Sequence, residues 1–589
     1  MGRPILILGF AAVLTLSCTK GATEAVDPWM HPVSIDAAGP SLLLPGTTIR
    51  VTGGGFIHPD FGENQLHWVG VGPEGPFDVI LPATYIDEGH LEASFDPAEF
   101  ASMGGTGSRI RGDLRVEVFH SRSASNRASA AVAYDVSLER QLTPAIASLE
   151  TNTDVYINDE ITIGGAGFLL DGDEGQTVAR VHGCFFPGGD GPCVGVKEDG
   201  LPFLPSHPTD RTEGHFVFSF KITGLRPGVF RGTVQLDNVH GDGTVLSTEA
   251  EQLELSVQPA AITGIGTPAA SLGQYVDIDG GGFVGGDDSS VTLLEVSGTF
   301  QSQKTGQSRS IDLLLVPEFQ TGRRVRYVLN EEDGLGTEIN LRREFGTLTG
   351  NLRPVTRYGE EEQRGQAVPF TFEIAPVTQP VVIFFHPSYT ESLGRFGLRA
   401  VDDLVRERAL AAAMEPYQGV RVLFETDIPE EFALYSVVEI SGEDPNGQGL
   451  FGYDNSPGKD TNNLRLHDRI GGVNAQTQED GFPGFGGVFI ESFFEFRKGG
   501  AIESPYFDRI FNDFRPSKGG SPVGKEDLDA GIPVLTDGTI CTGGNLDRRR
   551  AIACAVWTLG NLIGSTLSHE VGHSLGLANP YEPMSFHNP

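Results

Sequence analysis

Thr48-Ile49-Arg50-Val51-Thr52-Gly53-Gly54-Gly55-Phe56 alternates polar and apolar side chains, then breaks into three glycines and an aromatic. Alternation at period two buries one face of a strand. The glycines permit a turn with φ > 0 before Phe56 re-enters a core. The arrangement returns twice. Ile161-Thr162-Ile163 precedes Gly164-Gly165-Ala166-Gly167-Phe168, and Tyr275-Val276-Asp277-Ile278 precedes Gly280-Gly281-Gly282-Phe283. The three phenylalanines are nearly evenly spaced, and Pro32, Pro144 and Pro259 each precede one by the same interval. Further strands close the copies at 132–136, 253–257 and 370–374.

A proline, a strand, Gly-x-Gly-Phe and more strands resemble the IPT/TIG immunoglobulin-like module. The resemblance implies three all-β Ig-like sandwiches strung as a stalk, over 32–140, 141–257 and 258–375. Acidic residues follow each phenylalanine (Asp60 and Glu63; Asp171, Asp173 and Glu174; Asp287 and Asp288). Carboxylate oxygens can hold Ca2+. No regular ligand spacing repeats, so a solvated loop is the plainer reading.

The chain has 589 residues, too many for one core, and about 150 residues per domain suggests roughly four units. Its 78 glycines and 37 prolines favour short strands and tight turns. A net charge of −36 argues against a nucleic-acid partner, because binding phosphate needs clustered Lys and Arg. Arg3 and the apolar run 5–16 read as a targeting segment, residues 1–17. Thr15-Leu16-Ser17-Cys18 resembles a lipobox, which implies a lipid on Cys18, a linker over 18–31 and a membrane anchor. Thr19 at the next position implies outer-membrane sorting, hence a cell-surface protein. An ordinary secretory signal is the alternative, and either route ends in an oxidising compartment. Once Cys18 is assigned to the lipid, four of the five cysteines remain, as two local pairs: Cys184–Cys193 and Cys541–Cys554.

After Pro376 the pattern changes. Val381-Val382-Ile383-Phe384-Phe385 is a continuous apolar run, expected to be a strand buried on both faces. Helical spacing over 397–417 and a second strand over 420–424 mark a mixed α/β domain, 376–589.

The chemistry lies in His569-Glu570-Val571-Gly572-His573. Residues four apart on a helix share one face, so both imidazoles can reach one Zn2+. Glu570 projects beside such a site, placed to act as general base and then acid. The preceding stretch 551–568 is apolar enough to raise a membrane span, but it carries Asn561 and runs into His-Glu. A buried core helix ending at Gly576 fits it better. With Leu575-Gly576-Leu577 added, the segment resembles the metzincin clan of zinc peptidases. That resemblance implies a zincin-like domain that cleaves protein or peptide substrates. The clan's third ligand position is occupied here by Asn579, a poor zinc donor. Glu582 and His587 remain, and the imidazole of His587 is the better donor. The clan's methionine turn has no clear counterpart, Met584 lying too close to the helix, and the domain is expected to be truncated at its C-terminus. The resemblance also implies an edge strand that pairs with substrate, for which 484–491 is the candidate, with an interior strand equally open. Asp454-Asn455-Ser456-Pro457-Gly458-Lys459-Asp460 reads as a polar surface loop or a Ca2+ site. The competing function is a surface adhesin with an inactive peptidase tail.

Overall fold

The computed structural model describes residues 32–59, 62–120, 126–150, 153–460, 466–473, 482–543 and 546–576. It contains two compact units, 1–140 and 141–589.

The first unit is a β-sandwich. Ser34–Gly39, Thr47–Gly54 and His90–Phe95 pair on one side, and Gly62–Gly72, Arg109–His120 and Val136–Leu138 on the other. Gly75–Asp87 pairs with both groups and links them. Trp68, Phe95 and Leu114 fill the core. The second unit begins with two more sandwiches, each with its own core. In all three, a short strand near the start runs parallel to the closing strand: Leu42–Leu43 with Val136–Leu138, Thr153–Tyr156 with Glu251–Gln258, and Ala269–Ala270 with Val368–Ile374. The architecture is multidomain and mostly β-sandwich, of an Ig-like kind.

The glycine signature acts as the sequence suggests. Gly55, Gly167 and Gly282 have φ of 74°, 75° and 73°. A Cβ on Gly53, Gly165 or Gly280 would lie 2.0, 1.9 or 2.2 Å from a carbonyl oxygen of the neighbouring strand. Phe56, Phe168 and Phe283 are buried. The closing strand expected over 132–136 is interrupted, because Tyr134 turns into the core and donates its hydroxyl to the Pro40 carbonyl (2.8 Å). Asp60 of the first acidic loop lies outside the described residues, and carboxylates of the other two are engaged by protein donors. Glu174 is buried against Arg211 (2.7 Å), and Asp287 accepts from the hydroxyls of Ser289 and Ser290. The second and third sandwiches meet where Asp159 takes two guanidinium nitrogens of Arg323, 2.5 Å each.

The C-terminal region is mixed α/β. In chain order it has β1 (Gln379–Phe385), α1 (Pro387–Phe396), α2 (Asp402–Met414), β2 (Val422–Glu425), β3 (Ser436–Ser441), β4 (Gly452–Tyr453), β5 (Arg469–Ile470), β6 (Phe485–Phe489) and α3 (Arg548–Ser574). The sheet order is β2-β1-β3-β6-β4, with β5 beside β3 and the short strand Gly472–Val473 antiparallel to β6. β1 pairs parallel with β2 and β3, β3 pairs parallel with β6, and β4 is antiparallel to β6. Parallel neighbours need a crossover, which α1 and α2 supply between β1 and β2. Two expectations change. The helix read over 397–417 is α-helical only from Asp402, because Gly397 ends a separate helix, α1, whose polar Ser-Tyr-Thr-Glu-Ser run hid it. β1 is not buried on both faces throughout, since Phe384 is half exposed.

α3 is the centre of this domain. Asp547 caps its first turn by accepting the Arg550 N–H (2.9 Å), and Cys541–Cys554 ties the preceding turn to it. Cys184–Cys193 is also bonded. By length and composition α3 could cross a membrane, yet Ile552, Leu559, Ile563, Leu567 and Val571 form a stripe packed into the core. Gly564 lets α2 approach closely, for a Cβ there would lie 2.3 Å from the Ala409 carbonyl oxygen. Alanine normally gains about 1 kcal/mol over glycine in a helix. Here backbone blocks it, so Gly564→Ala is expected to destabilise the domain by about 1–3 kcal/mol, measured by denaturant unfolding.

Candidate metal centre

The last turns of α3 carry His569, Glu570 and His573. The helical repeat brings the two imidazoles together as expected, with Nε2 to Nε2 at 3.1 Å and rings nearly perpendicular. Two nitrogens each about 2.0–2.1 Å from a tetrahedral zinc would stand about 3.3 Å apart, so the pair fits one ion. Nδ1 of His573 lies 2.9 Å from Oδ1 of Asp460, both side chains being buried. With Nδ1–H donating to that carboxyl, the Nε2 lone pair would face His569. Asp460 also donates its backbone N–H to the His573 carbonyl (3.1 Å). Its φ of 56° is unusual for a residue with a side chain and serves this double contact.

Glu570, between the two histidines in the sequence, is buried against β4. The Asp454 backbone N–H donates to its carboxyl, and Gly452 of β4 leaves room, since a Cβ there would lie 2.5 Å from Oε1. Burial first, and the neighbouring Asp454 second, raise its pKa to about 8, while Lys459 pulls the other way. Asp454 is raised to about 7, again chiefly by burial, although the Ser456 N–H (2.8 Å) favours its charged form. The Lys459 ammonium sits over Tyr453 (4.4 Å). Beside His569 and Gly572 opens a cavity of about 950 Å³, walled by Tyr417, Val420, Val422 and Leu575.

One reading of the sequence is corrected and one left open is decided. The 454–460 segment is no surface loop, because Asp454, Asn455 and Ser456 are fully buried and the loop packs against α3. Nothing local signalled this, since its turn formers look the same on a surface. Of the two readings open for 484–491, edge or interior strand, the structure favours the interior one. Its β6 is paired on both sides, and the edge strand beyond it is the two-residue β4, too short to register as alternation. His587, Glu582, Asn579, Met584 and Cys18 lie outside the described residues. Among the described residues, no group of three His, Cys, Asp or Glu side chains is placed to hold a metal ion.

Asp460 is expected to matter through His573. Asp460→Asn should weaken zinc binding by about 10- to 100-fold, read by competition with a chelating dye.

No protein-family model matches the chain, and no curated protein matches it. Solved structures resemble it at low identity. The extracellular region of plexin A4 has 9% identity and a TM-score of 0.19, over 59% of this chain and 34% of that one. Three N-terminal domains of the outer capsid protein Hoc of bacteriophage RB49 have 12% identity and a TM-score of 0.14, over 59% and 99%. Fibronectin(III)-like modules of Clostridium thermocellum CbhA have 12% identity and a TM-score of 0.15, over 38% and 94%. The chain therefore spans about a third of the plexin region it matches.

Proposed function

We propose that the C-terminal domain is a zinc-dependent endopeptidase carried behind three Ig-like sandwiches on an exported, lipid-anchored chain. The observation that carries this reading is the convergence of His569 and His573 at 3.1 Å with Asp460 behind the second ring. These two imidazoles would hold the ion, and His587 is the donor expected to complete the set. When bound, zinc supplies Lewis-acid polarisation of the reacting oxygens.

This chain's own groups do the rest. Glu570 takes up the proton released when water attacks the peptide carbonyl, and returns it to the leaving amine. Its burial keeps the carboxyl basic enough to accept that proton near neutral pH, and a cation alongside eases its ionisation. β4 offers an edge beside Glu570 to which an extended peptide can add as a strand, and the cavity next to His569 is available for a side chain. Both disulfides suit an oxidising compartment, in keeping with export and a lipid at Cys18, at the outer membrane and cell surface.

One observation favours a second reading, a surface adhesin with an inactive tail. At 3.1 Å one ring can donate to the other, so the His569–His573 pair is self-sufficient without metal. Metal analysis of the purified full chain separates the two. The peptidase reading expects about one zinc per chain and casein cleavage that a chelator abolishes. Substoichiometric zinc and no chelator-sensitive cleavage would leave the adhesin.

A further inference from the structure

We propose that the third sandwich is a working part of the metal centre: Leu466, seated in the sandwich's core, holds Asp468 against the last turn of α3. The proposal rests on the zinc-centre reading for its function but on separate contacts for its geometry.

Leu466 follows the loop that carries Asp454 and Asp460, yet its side chain belongs to the core of the third sandwich, with Leu272, Val276 and Leu329, and is 2% exposed. Its carbonyl accepts from Nε2 of Gln379 (3.3 Å), which also reaches Oγ of Ser436 (3.3 Å). Two residues later Asp468 is held through its backbone and through Oδ2. Its N–H donates to Oγ of Ser436 (3.2 Å), and its carbonyl accepts the Val437 N–H (2.9 Å). Its Oδ2 accepts from the hydroxyls of Ser574 (3.0 Å) and Ser456 (3.3 Å). Ser574 adjoins His573, and Ser456 belongs to the loop that delivers Asp460. Gln379, Ser436, Ser456, Asp468 and Ser574 are all buried.

The seam between sandwich and domain is also built. The Gly273 carbonyl accepts the Ala433 N–H (2.8 Å), Tyr275 donates to the Glu431 carbonyl (2.8 Å), and Leu434 packs on the same core as Leu466. A buried chain of hydrogen bonds costs free energy wherever one member loses its partner, so it keeps its members in place only while its anchor holds. Leu466 is that anchor, and Leu466 and Asp468 are positioning residues for His573.

The test uses the full chain with Leu466→Ala, and Leu348→Ala as a truncation of equal size in the same core on the strand Gly346–Tyr358. Leu466→Val, a smaller deletion, serves if the alanine variant does not fold. Two quantities are read: amide hydrogen exchange across 570–576, and zinc affinity by dye competition. Leu466→Ala is expected to speed exchange there at least tenfold and to weaken zinc binding about tenfold, while Leu348→Ala changes neither. Unchanged exchange in the Leu466 variants, or an equal effect from Leu348→Ala, overturns the proposal. If the wild-type chain binds no zinc, the peptidase reading fails and the exchange result alone decides the positioning role.

Discussion

Glu570→Gln is expected to lower peptide cleavage by about 10²- to 10⁴-fold, the usual contribution of a positioned general base, without loss of bound zinc. The amide has the carboxylate's shape, so it fits beneath Gly452, and its oxygen still accepts the Asp454 N–H. What it lacks is a group that can take a proton from attacking water. His569 and His573 remain converged on the same face of α3, so metal content measured on the same preparation should equal wild type. Rates on casein or a quenched fluorescent peptide give the comparison. Equal cleavage by the two proteins would exclude the mechanism.

The same substitution should change how the metal-free domain responds to pH. Glu570 has a folded pKa of about 8 against 4.5 for the ordinary carboxyl, because burial and the nearby Asp454 disfavour its charge. In chelator-treated protein its contribution to stability is therefore complete below about pH 4.5 and is lost as pH rises through about 8. Asp454, raised from 3.8 to about 7, acts in the same direction. Stability of the C-terminal domain should fall between pH 5 and 8 by a few kcal/mol, on the order of what such shifts represent. Glu570→Gln removes one of the two titrating groups and should flatten about half of that slope, leaving the variant the more stable protein at pH 8. Urea unfolding at several pH values provides the measurement. A wild-type domain whose stability rises across the window would mean that these carboxyls are ionised and paired in the fold.

The sandwiches were legible because their signal is local. A left-handed glycine one residue before a buried phenylalanine involves only neighbouring backbone, and it holds at Gly55, Gly167 and Gly282 alike. The meeting of His569 with His573 is equally local, being one helical turn, and both cysteine pairs close short loops. The 397–417 region was less legible, since its apolar spacing ran across the end of α1 at Gly397, and a pattern of period 3.6 does not report where one helix stops and another begins.

By itself, then, the amino-acid order determined the repeating β modules, the two disulfides, and a helix presenting two imidazoles and a carboxyl within its last turns. Tertiary structure alone decided what surrounds them. Asp460 reaches His573 across 113 residues of chain, Asp468 reaches Ser574 across 106, and Leu466 leaves its own domain for the core of the third sandwich. The reason is physical: a turn-rich acidic segment has the same local preferences in water or under a helix. Only packing against residues far along the chain removes Asp454 and Glu570 from solvent, and with solvent goes the pKa that an isolated carboxyl would have.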